Sequence, residues 1–445
     1  MTRLHADHAL LPGGFAADVL LDWDEHGQLR SVATGQPCPE GVERAAGLLV
    51  PGLPNLHSHA FQRAFAGLTE YRGSAQDSFW TWRDLMYRFA GAVTPDELEA
   101  IATHLYVEML CAGYTSVCEF HYVHHDPAGL PHAQLAEMSL RLVAAARRAG
   151  IGLTLLPVLY QSSGFGARPA RDDQRRFLNG VDDLLRIVET LRRASVRAGV
   201  APHSLRAVPP QALNRLLAGL AALDPTAPIH IHIAEQMQEV RDCLAWSGQR
   251  PLQWLLEHAP VDGRWCLVHA THLDDAERAG AAARGAVIGL CPSTEANLGD
   301  GLFDLQAWRG AWGIGSDSHA SVDAPEELRL LEYGQRLARQ QRNLCTAEEM
   351  WRAAVLGGAQ AAGRPVAGLA AGQQADFLVL ADPMLQGLAP EQQLASVVFA
   401  SHRRHAVREV WVGGRRLVQN GRHAEAEAAQ RGFLAARARL LEATR

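Results

Sequence analysis

From Leu48 onward, short apolar runs alternate along the chain with longer segments in which Ala, Leu and Arg recur at helical spacing. Eight short runs have the length and composition of buried β-strands. They are LLVPGLPNLHSHA, TSVCEFHY, IGLTLLPVLY, AGVAPHSLRAV, PIHIHIAE, WCLVHATHL, AVIGLCPS and WGIGSDSH. The helical segments between them include AQLAEMSLRLVAAARRAG, which ends in a Gly suited to a helix C-terminus. Eight strands that alternate with helices predict a (β/α)8 TIM barrel, an α/β fold.

The two ends of the chain show a different pattern, in which short strand-like runs are broken by turn residues. They include ADVLLDW near the start and VREVWVGGRRLVQNG near the end, whose GG is typical of a hairpin turn. We expect residues 1–48 and 366–425 to meet in one small β-sandwich domain beside a barrel of residues 49–365. The Ala- and Arg-rich segment 426–445 predicts a C-terminal helix.

The composition of the chain limits its possible functions. Of 445 residues, 48% are hydrophobic, and the formal net charge of -6 does not favour binding to nucleic acid or to an anionic membrane. No run reaches the ~18–20 apolar residues of a membrane helix, and the first residues do not resemble a signal peptide. Seven scattered Cys without a CxxC pair argue against a disulfide framework. We therefore expect a soluble, cytoplasmic protein.

Polar residues stand at the C-terminal ends of the predicted barrel strands, where active sites of this fold lie. The first strand ends in His57 and His59, whose side chains point the same way because strand residues alternate. The fifth strand contains His232, and the eighth is followed by Asp317. Three imidazoles and one carboxylate suit zinc or ferrous iron, with a position open for water. The pattern thus predicts a metal site at this end of the barrel.

Each of these signals is weak by itself, because a lone HxH is common and a single Asp after a turn is usually a cap. Four signals in the expected order, each at a strand end, are much harder to explain by chance. The chain contains no lysine, so a carboxylated lysine cannot bridge two metals. A bridging glutamate remains possible, but one divalent metal per chain is the simpler interpretation.

Three residues are candidates for the catalytic chemistry. Glu235 follows His232 by three positions, so its carboxylate could exchange protons with a metal-bound water, although it could instead serve the first turn of a helix. His269 lies at the end of the sixth strand, where it could orient water or substrate, and Asp317 could combine ligation with proton transfer. Weaker candidates are His124, His125 and His319, and we expect structural roles for His230 and His272.

Five blocks of the sequence resemble a known family. They are PGLPNLHSHAFQRAFAGLTEYRG, EFHYVHHD, APHSLRAV, HIHIAEQ and GIGSDSH. The chain resembles the amidohydrolase superfamily, in its branch of cytosine, guanine and adenosyl-type deaminases, and within that branch the formimidoylglutamate deiminases. The likeness is collinear and covers nearly the whole chain. The HxH occurs throughout the superfamily, whereas HSHAFQR together with EFHYVHH is far more specific.

The resemblance implies deamination of N-formimino-L-glutamate to N-formyl-L-glutamate and ammonia in histidine degradation, by a homodimer. It implies one zinc ion, with iron possible, bound by His57, His59, His232 and Asp317, and catalysis by Glu235, His269 and Asp317. It implies that the substrate carboxylates are bound by Gln62, Tyr122, His203 and Arg206. The local pattern agrees, because an arginine fork pairs bidentately with a carboxylate, although Arg206 could instead form a surface ion pair.

Two other functions remain open at this point. A deaminase of purine or pyrimidine rings would share every metal ligand but would depend more on aromatic stacking than on an arginine beside His203. An inactive assembly protein of the same scaffold would be expected to have lost ligands, and all four are present here. Trp82 and Arg83, within SFWTWRDLMYR, could belong to a lid over the pocket.

Overall fold

The strands of the protein form two groups, one at the chain ends and one in the barrel. The computed structural model describes residues 2–70, 79–400 and 406–444. In chain order the strands are β1 (Thr2–Leu11), β2 (Gly14–Trp23), β3 (Leu29–Ala33), β4 (Glu43–Arg44), β5 (Leu48–Pro51), β6 (Leu53–Ser58), β7 (Tyr114–His121), β8 (Gly152–Leu159), β9 (Arg197–Ala198), β10 (Ala201–Pro202), β11 (Ile229–Ile233), β12 (Trp265–His269), β13 (Val287–Leu290), β14 (Trp312–Ile314), β15 (Phe377–Leu380), β16 (Val407–Val412), β17 (Arg415–Gln419) and β18 (Arg422–His423).

The helices follow the barrel strands, as the alternating pattern predicts. They are α1 (Phe79–Ala92), α2 (Pro95–Cys111), α3 (Glu137–Ala149), α4 (Val181–Arg193), α5 (Pro210–Leu223), α6 (Met237–Ser247), α7 (Pro251–His258), α8 (Asp275–Ala283), α9 (Pro292–Leu298), α10 (Ala324–Arg339), α11 (Ala347–Ala362), α12 (Pro390–Phe399) and α13 (Ala426–Ala443). Their ends follow local rules: a capping box of Thr94 and Glu97 starts α2, and Gly150, with φ of 82°, ends α3. Within the described ranges, none of these helices is long and apolar enough to cross a membrane.

Eight strand positions form the barrel, as predicted. One parallel sheet has the order β10-β8-β7-β6, with β9 beside β8, and a second has the order β11-β12-β13-β14. The two sheets meet at two seams, each with one isolated parallel bridge, Val200 to Ile229 and Ser58 to Asp317. The ladders are therefore interrupted at both seams. The second seam places Asp317 directly beside the first barrel strand.

The predicted first strand is in fact two strands, β5 and β6, which belong to different sheets. The break falls at Gly52, where an added Cβ would lie 2.2 Å from the Thr115 side chain. Only glycine lets the backbone pass this close to its neighbour. The predicted fourth strand is likewise short, since it consists of β9 and β10 alone.

Strands from both chain ends form a single nine-stranded sheet with the order β18-β17-β16-β15-β5-β1-β2-β3, in which β4 pairs with β1. Trp23 on β2 contacts Trp411 on β16, with ring centroids 5.8 Å apart, although three strands lie between them in the sheet order. The sheet must therefore curl over itself, which gives it the shape of a sandwich with an apolar interior. The predicted GG hairpin joins β16 to β17, and both glycines have positive φ.

Candidate active site

Four predicted metal ligands converge at one end of the barrel, and all four are buried. The Nε2 atom of His57 lies 3.1 Å from Nε2 of His59 and 3.0 Å from Nε2 of His232. The Oδ1 atom of Asp317 lies 3.4 Å from Nε2 of His57 and 3.3 Å from Nε2 of His59. Ligands of a tetrahedral zinc ion lie about 3.3 Å from one another, given zinc–nitrogen distances of about 2.0 Å. The spacing of the His57, His59 and Asp317 atoms therefore suits one metal ion, and His232 adjoins this group through its contact with His57.

The hydrogen bonds of the outer ring nitrogens support the same interpretation. Nδ1 of His59 lies 2.8 Å from the Phe120 carbonyl, and Nδ1 of His232 lies 3.1 Å from the His203 carbonyl. Each Nδ1 must carry the hydrogen, because a carbonyl can only accept. The Nε2 lone pairs of these two rings therefore face the centre of the cluster. Burial lowers the pKa of His57 and of His232, so neutral imidazoles suited to a cation are favoured.

The turns after the barrel strands place unusual backbone conformations at the site. Asp317, His269 and Ala234, which precedes Glu235, have φ values of 45°, 65° and 50°. Residues other than glycine seldom adopt this left-handed region, and such strain concentrates at functional sites. Here the positive φ values occur at or just after the ends of strands, close to the polar side chains that line the pocket.

Glu119 on β7 is part of the site that sequence reasoning missed. Its buried carboxylate accepts hydrogen bonds from Ser58 Oγ and from the Ala60 N–H, both at 2.6 Å, and from the Tyr106 hydroxyl at 3.2 Å. Burial raises the pKa of Glu119 to about 7, against these hydrogen bonds, which lower it. Glu119 therefore holds the turn that carries His57 and His59. A carboxylate inside an otherwise buried strand was the signal that could have revealed it.

Glu235 and His269 face each other beside the ligand cluster. Nε2 of His269 lies 3.8 Å from Glu235 Oε1 and 3.8 Å from Asp317 Oδ2, and its Nδ1 lies 3.3 Å from Glu295 Oε1. Burial alone would lower the pKa of His269, but the Glu235, Glu295 and Asp317 carboxylates raise it to about 10. Burial also raises the pKa of Glu235. These groups can therefore exchange a proton over short distances.

Glu239, and not Glu235, is the acidic residue that bonds to the backbone at the start of α6. Glu239, in the first turn of α6, accepts hydrogen bonds from the Ala234 N–H at 3.1 Å and from the Glu235 N–H at 3.3 Å. The side chain of Glu235 is thereby left to line the pocket. Glu239 and Glu295 were not identified from the sequence, since first-turn acids are common in helices without any catalytic role.

The four predicted substrate-binding residues line the same pocket as the ligand cluster. Gln62 Nε2 donates to the Tyr122 hydroxyl at 2.8 Å. Arg206 Nη2 lies 3.8 Å from Glu235 and 3.7 Å from Glu239, so it forms ion pairs inside the pocket rather than at the surface. Burial lowers the pKa of His203, next to Arg206. Trp82 and Arg83 from α1 also line the pocket, and the lining residues missed from the sequence are Met86, Tyr87, Tyr160, Ser163, Phe177, Ser204 and Leu298.

Five other histidines bond to protein groups and do not line this pocket. Four of them lie within hydrogen-bond distance of backbone carbonyls: His124 of Val158, His125 of Leu178, His230 of Ala361 and His272 of Asp300. His319 lies 3.0 Å from Ser316 Oγ. The structural interpretation thus applies to all five, including the three that were weak candidates for the site.

Comparison with known proteins agrees with this geometry. Residues 48–417 match the model of the family described as Amidohydrolase family. The chain is 51% identical to the formimidoylglutamate deiminase of Pseudomonas aeruginosa, over 99% of this chain and 100% of that protein. It is 47% identical to the solved structure of an amidohydrolase from Brucella melitensis, with a TM-score of 0.94 over 99% of this chain and 100% of that one.

A more distant neighbour shares the fold alone. It is an adenosine deaminase from Xanthomonas campestris with bound zinc, 22% identical, with a TM-score of 0.81 over 99% of this chain and 98% of that one. The family match spans the whole barrel, and the relative at 51% identity extends the likeness to both ends. The chain belongs to the amidohydrolase family.

Proposed function

We propose that this protein hydrolyses N-formimino-L-glutamate to N-formyl-L-glutamate and ammonia, as a step of histidine degradation. It would thus be a hydrolase acting on the C–N bond of a linear amidine. The observation that carries the proposal is that one pocket combines the ligand cluster, the Glu235–His269 pair and the cationic Arg206. The 51% identity to a formimidoylglutamate deiminase supports the choice of substrate.

We propose that His57, His59, His232 and Asp317 hold one divalent ion, most simply zinc, although ferrous iron suits the same ligands. When bound, such an ion would lower the pKa of a water molecule to near neutral and polarise the amidine. The convergence of the Nε2 lone pairs of His59 and His232 on Nε2 of His57 supports this assignment, because a cation at that point would attract all three nitrogens.

The reaction exchanges the terminal nitrogen of the amidine for oxygen. The water oxygen bonds to the formimino carbon, and the bond from that carbon to the terminal nitrogen breaks. Glu235 accepts one proton from water and delivers it to the terminal nitrogen. The second proton of the water passes to the same nitrogen as the carbonyl forms, and the nitrogen departs as ammonia. His269, 3.8 Å from Glu235 and from Asp317, orients the reacting groups, and Asp317 assists the proton transfer. All atoms of water appear in the two products.

The other half of the pocket would bind the acidic part of the substrate. Arg206 and His203 supply donors for a carboxylate, and Tyr122, held by the Gln62 amide, adds a hydroxyl. The positive charge of Arg206 is partly balanced by Glu235 and Glu239, so a substrate carboxylate would compete with them for its guanidinium. Correct placement of the formimino carbon can lower the barrier by several kcal/mol, on the order of 7 kcal/mol in well-oriented systems.

A second candidate is deamination of a nitrogenous ring, which the aromatic lining of the pocket favours. Five aromatic side chains line it: Trp82, Tyr87, Tyr122, Tyr160 and Phe177. Flat rings stack well on such surfaces. The arginine beside His203 is the feature that distinguishes the two candidates, because its charge pairs with a carboxylate more strongly than with a neutral ring.

Ammonia release by the purified protein tests the proposal directly. The protein is offered N-formimino-L-glutamate, adenosine, S-adenosylhomocysteine, guanine and cytosine at equal concentration. We expect rapid release from the formimino compound and at least about 100-fold slower release from the rings. Faster release from a ring would replace the proposed function with the second candidate. A protein that binds no metal and turns over none of them would fit an assembly role.

We also propose that the protein acts in the cytoplasm and that it is a homodimer, as the resemblance to the family implies. Light scattering during gel filtration should give twice the mass of one chain. A single-chain mass at micromolar concentration would contradict the dimer without affecting the proposed reaction.

A further inference from the structure

Two tyrosine hydroxyls in the pocket meet the side-chain amide of one buried glutamine. Tyr87 on α1 and Tyr160, which follows β8, both line the pocket, and both are at most 8% exposed. Gln174 lies behind them, 1% exposed, at the end of the short 3-10 turn Asp172–Gln174. Its Nε2 lies 3.1 Å from the Tyr87 hydroxyl and 2.8 Å from the Tyr160 hydroxyl.

The orientation of this amide follows from its other contact. The backbone N–H of Arg171 donates to Gln174 Oε1 at 2.9 Å, and only the oxygen end of the amide can accept that bond. The nitrogen end must therefore face the two tyrosines. The NH2 group has two hydrogens and meets two phenol oxygens, so each phenol oxygen accepts one hydrogen bond from Gln174.

The hydrogens of the two phenols are left for other acceptors. A phenol that accepts from Gln174 still has its own O–H to donate. The two hydroxyls also interact with each other, which uses at most one of their two hydrogens. At least one O–H can therefore be donated to a molecule in the pocket. Burial raises the pKa of Tyr160 well above its usual range, against the neighbouring Arg206 and Arg83, so this phenol keeps its hydrogen.

The surroundings of the hydroxyls favour a negatively charged acceptor. Arg206 and Arg83 both act electrostatically on Tyr160, and the Arg83 guanidinium also lies 5.5 Å from the ring centre of Tyr87. The ring of His203 packs edge-on against Tyr160 at 4.8 Å. Donors close to two cations in a largely buried wall are suited to a carboxylate, because hydrogen bonds to charged groups are the stronger ones.

We infer that Gln174 is a positioning residue that presents the hydroxyls of Tyr87 and Tyr160 as donors to a carboxylate of the substrate. The tyrosine pair is then a specificity determinant, which favours an acidic amidine over the same amidine with a neutral tail. The identity of that tail rests on the proposed function, whereas the donor arrangement does not.

Gln174→Glu is the sharpest test because it changes one atom. The remaining oxygen still accepts from Arg171, but the new oxygen replaces the NH2 group and takes the phenol hydrogens for itself. We expect KM for N-formimino-L-glutamate to rise about 10-fold or more, with kcat changed by less than about 3-fold. Tyr160→Phe and Tyr87→Phe should each raise KM in the same way. Tyr333→Phe, a half-exposed tyrosine on α10, is the matched control and should leave KM unchanged.

Two further measurements separate positioning from general damage to the fold. N-formimino-L-glutamine and the α-amide of N-formimino-L-glutamate each lack a different carboxylate. One of the two lacks the carboxylate that the tyrosines bind, and for that compound the variants and the wild type should have the same KM. Equal losses on the acidic substrate and on both amides would overturn the inference. So would wild-type kinetics in a folded Gln174→Glu protein.

Binding of glutarate, measured by calorimetry, gives a readout that does not need turnover. We expect Gln174→Glu and Tyr160→Phe to weaken binding of this dicarboxylate about 10-fold or more relative to the wild type. If both variants weaken glutarate binding but the wild type does not release ammonia from N-formimino-L-glutamate, the proposed function fails while the tyrosine pair stands. If both variants bind glutarate as the wild type does, the inference fails by itself.

Discussion

The two ends of the pocket are built in different ways. The histidine end (His57, His59, His232 and Asp317) comes from the barrel strands and the residues directly after them. The tyrosine end (Tyr87, Tyr160 and Gln174) comes from a helix, a loop and a 3-10 turn outside the barrel. Strands leave little freedom to the groups they carry, whereas loops can change without disturbing the core. The first end is thus suited to a chemistry that many proteins of this fold can share, and the second end is suited to selecting the substrate.

Removal of the metal should have the largest effect and would test the histidine end alone. Dialysis against a chelator should abolish ammonia release, by more than about 1,000-fold, because the water loses its activation. Zinc should restore it, and elemental analysis of the active protein should give near one equivalent per chain. Two equivalents, or activity in metal-free protein, would contradict the single-ion site. Glutarate binding at the tyrosine end should persist in the metal-free protein.

Glu235→Gln should lower kcat by about 100- to 10,000-fold, because the amide cannot accept the proton of water. The metal content should stay unchanged, since Glu235 lies outside the group His57, His59 and Asp317, whose ligand atoms are close enough to share an ion. Single-turnover rates and metal analysis, both on the same sample, compare the variant with the wild type. Near-normal turnover would remove Glu235 from the proposed mechanism.

Arg206→Ala should impair substrate binding without affecting the histidine end. We expect kcat/KM for N-formimino-L-glutamate to fall about 10- to 100-fold, from loss of a charge-assisted hydrogen bond, with metal content unchanged. Arg215→Ala is the control. It removes a comparable guanidinium that pairs with Asp182 at the surface, and it should leave kcat/KM nearly unchanged. Unchanged kinetics in Arg206→Ala would make the ion pairs with Glu235 and Glu239 its only role.

Glu119→Gln should have the smallest effect and would test the support of the histidine end. The amide keeps the shape of the side chain but weakens its hold on Ser58 and Ala60, so we expect metal affinity to fall about 10-fold. Glu327→Gln is a matched control, because Glu327 is also buried and accepts two hydrogen bonds, from the N–H and the hydroxyl of Ser293. Equal metal affinity in both variants would rule out a supporting role for Glu119.

The two ends also differ in how far the sequence reveals them. His57, His59, His232 and Asp317 could be predicted because a polar residue at the end of an apolar strand stands out from a regular pattern. The tyrosine end had no such pattern, since tyrosines and glutamines are common in loops. The role of Gln174 depends on the contact of its amide with two tyrosine hydroxyls, and no local spacing of residues in the sequence indicates this contact.

The sequence by itself determined the alternation of strands and helices, the class of the barrel and the order of the metal ligands. These depend on burial and on the two-residue period of a strand, which are local properties. The tertiary structure alone decided that the predicted first strand divides into two strands at Gly52, that Glu119 holds the neighbouring strand and that Gln174 contacts Tyr87 and Tyr160. Each of these is a contact between residues far apart in the chain, and it exists only once the chain has packed.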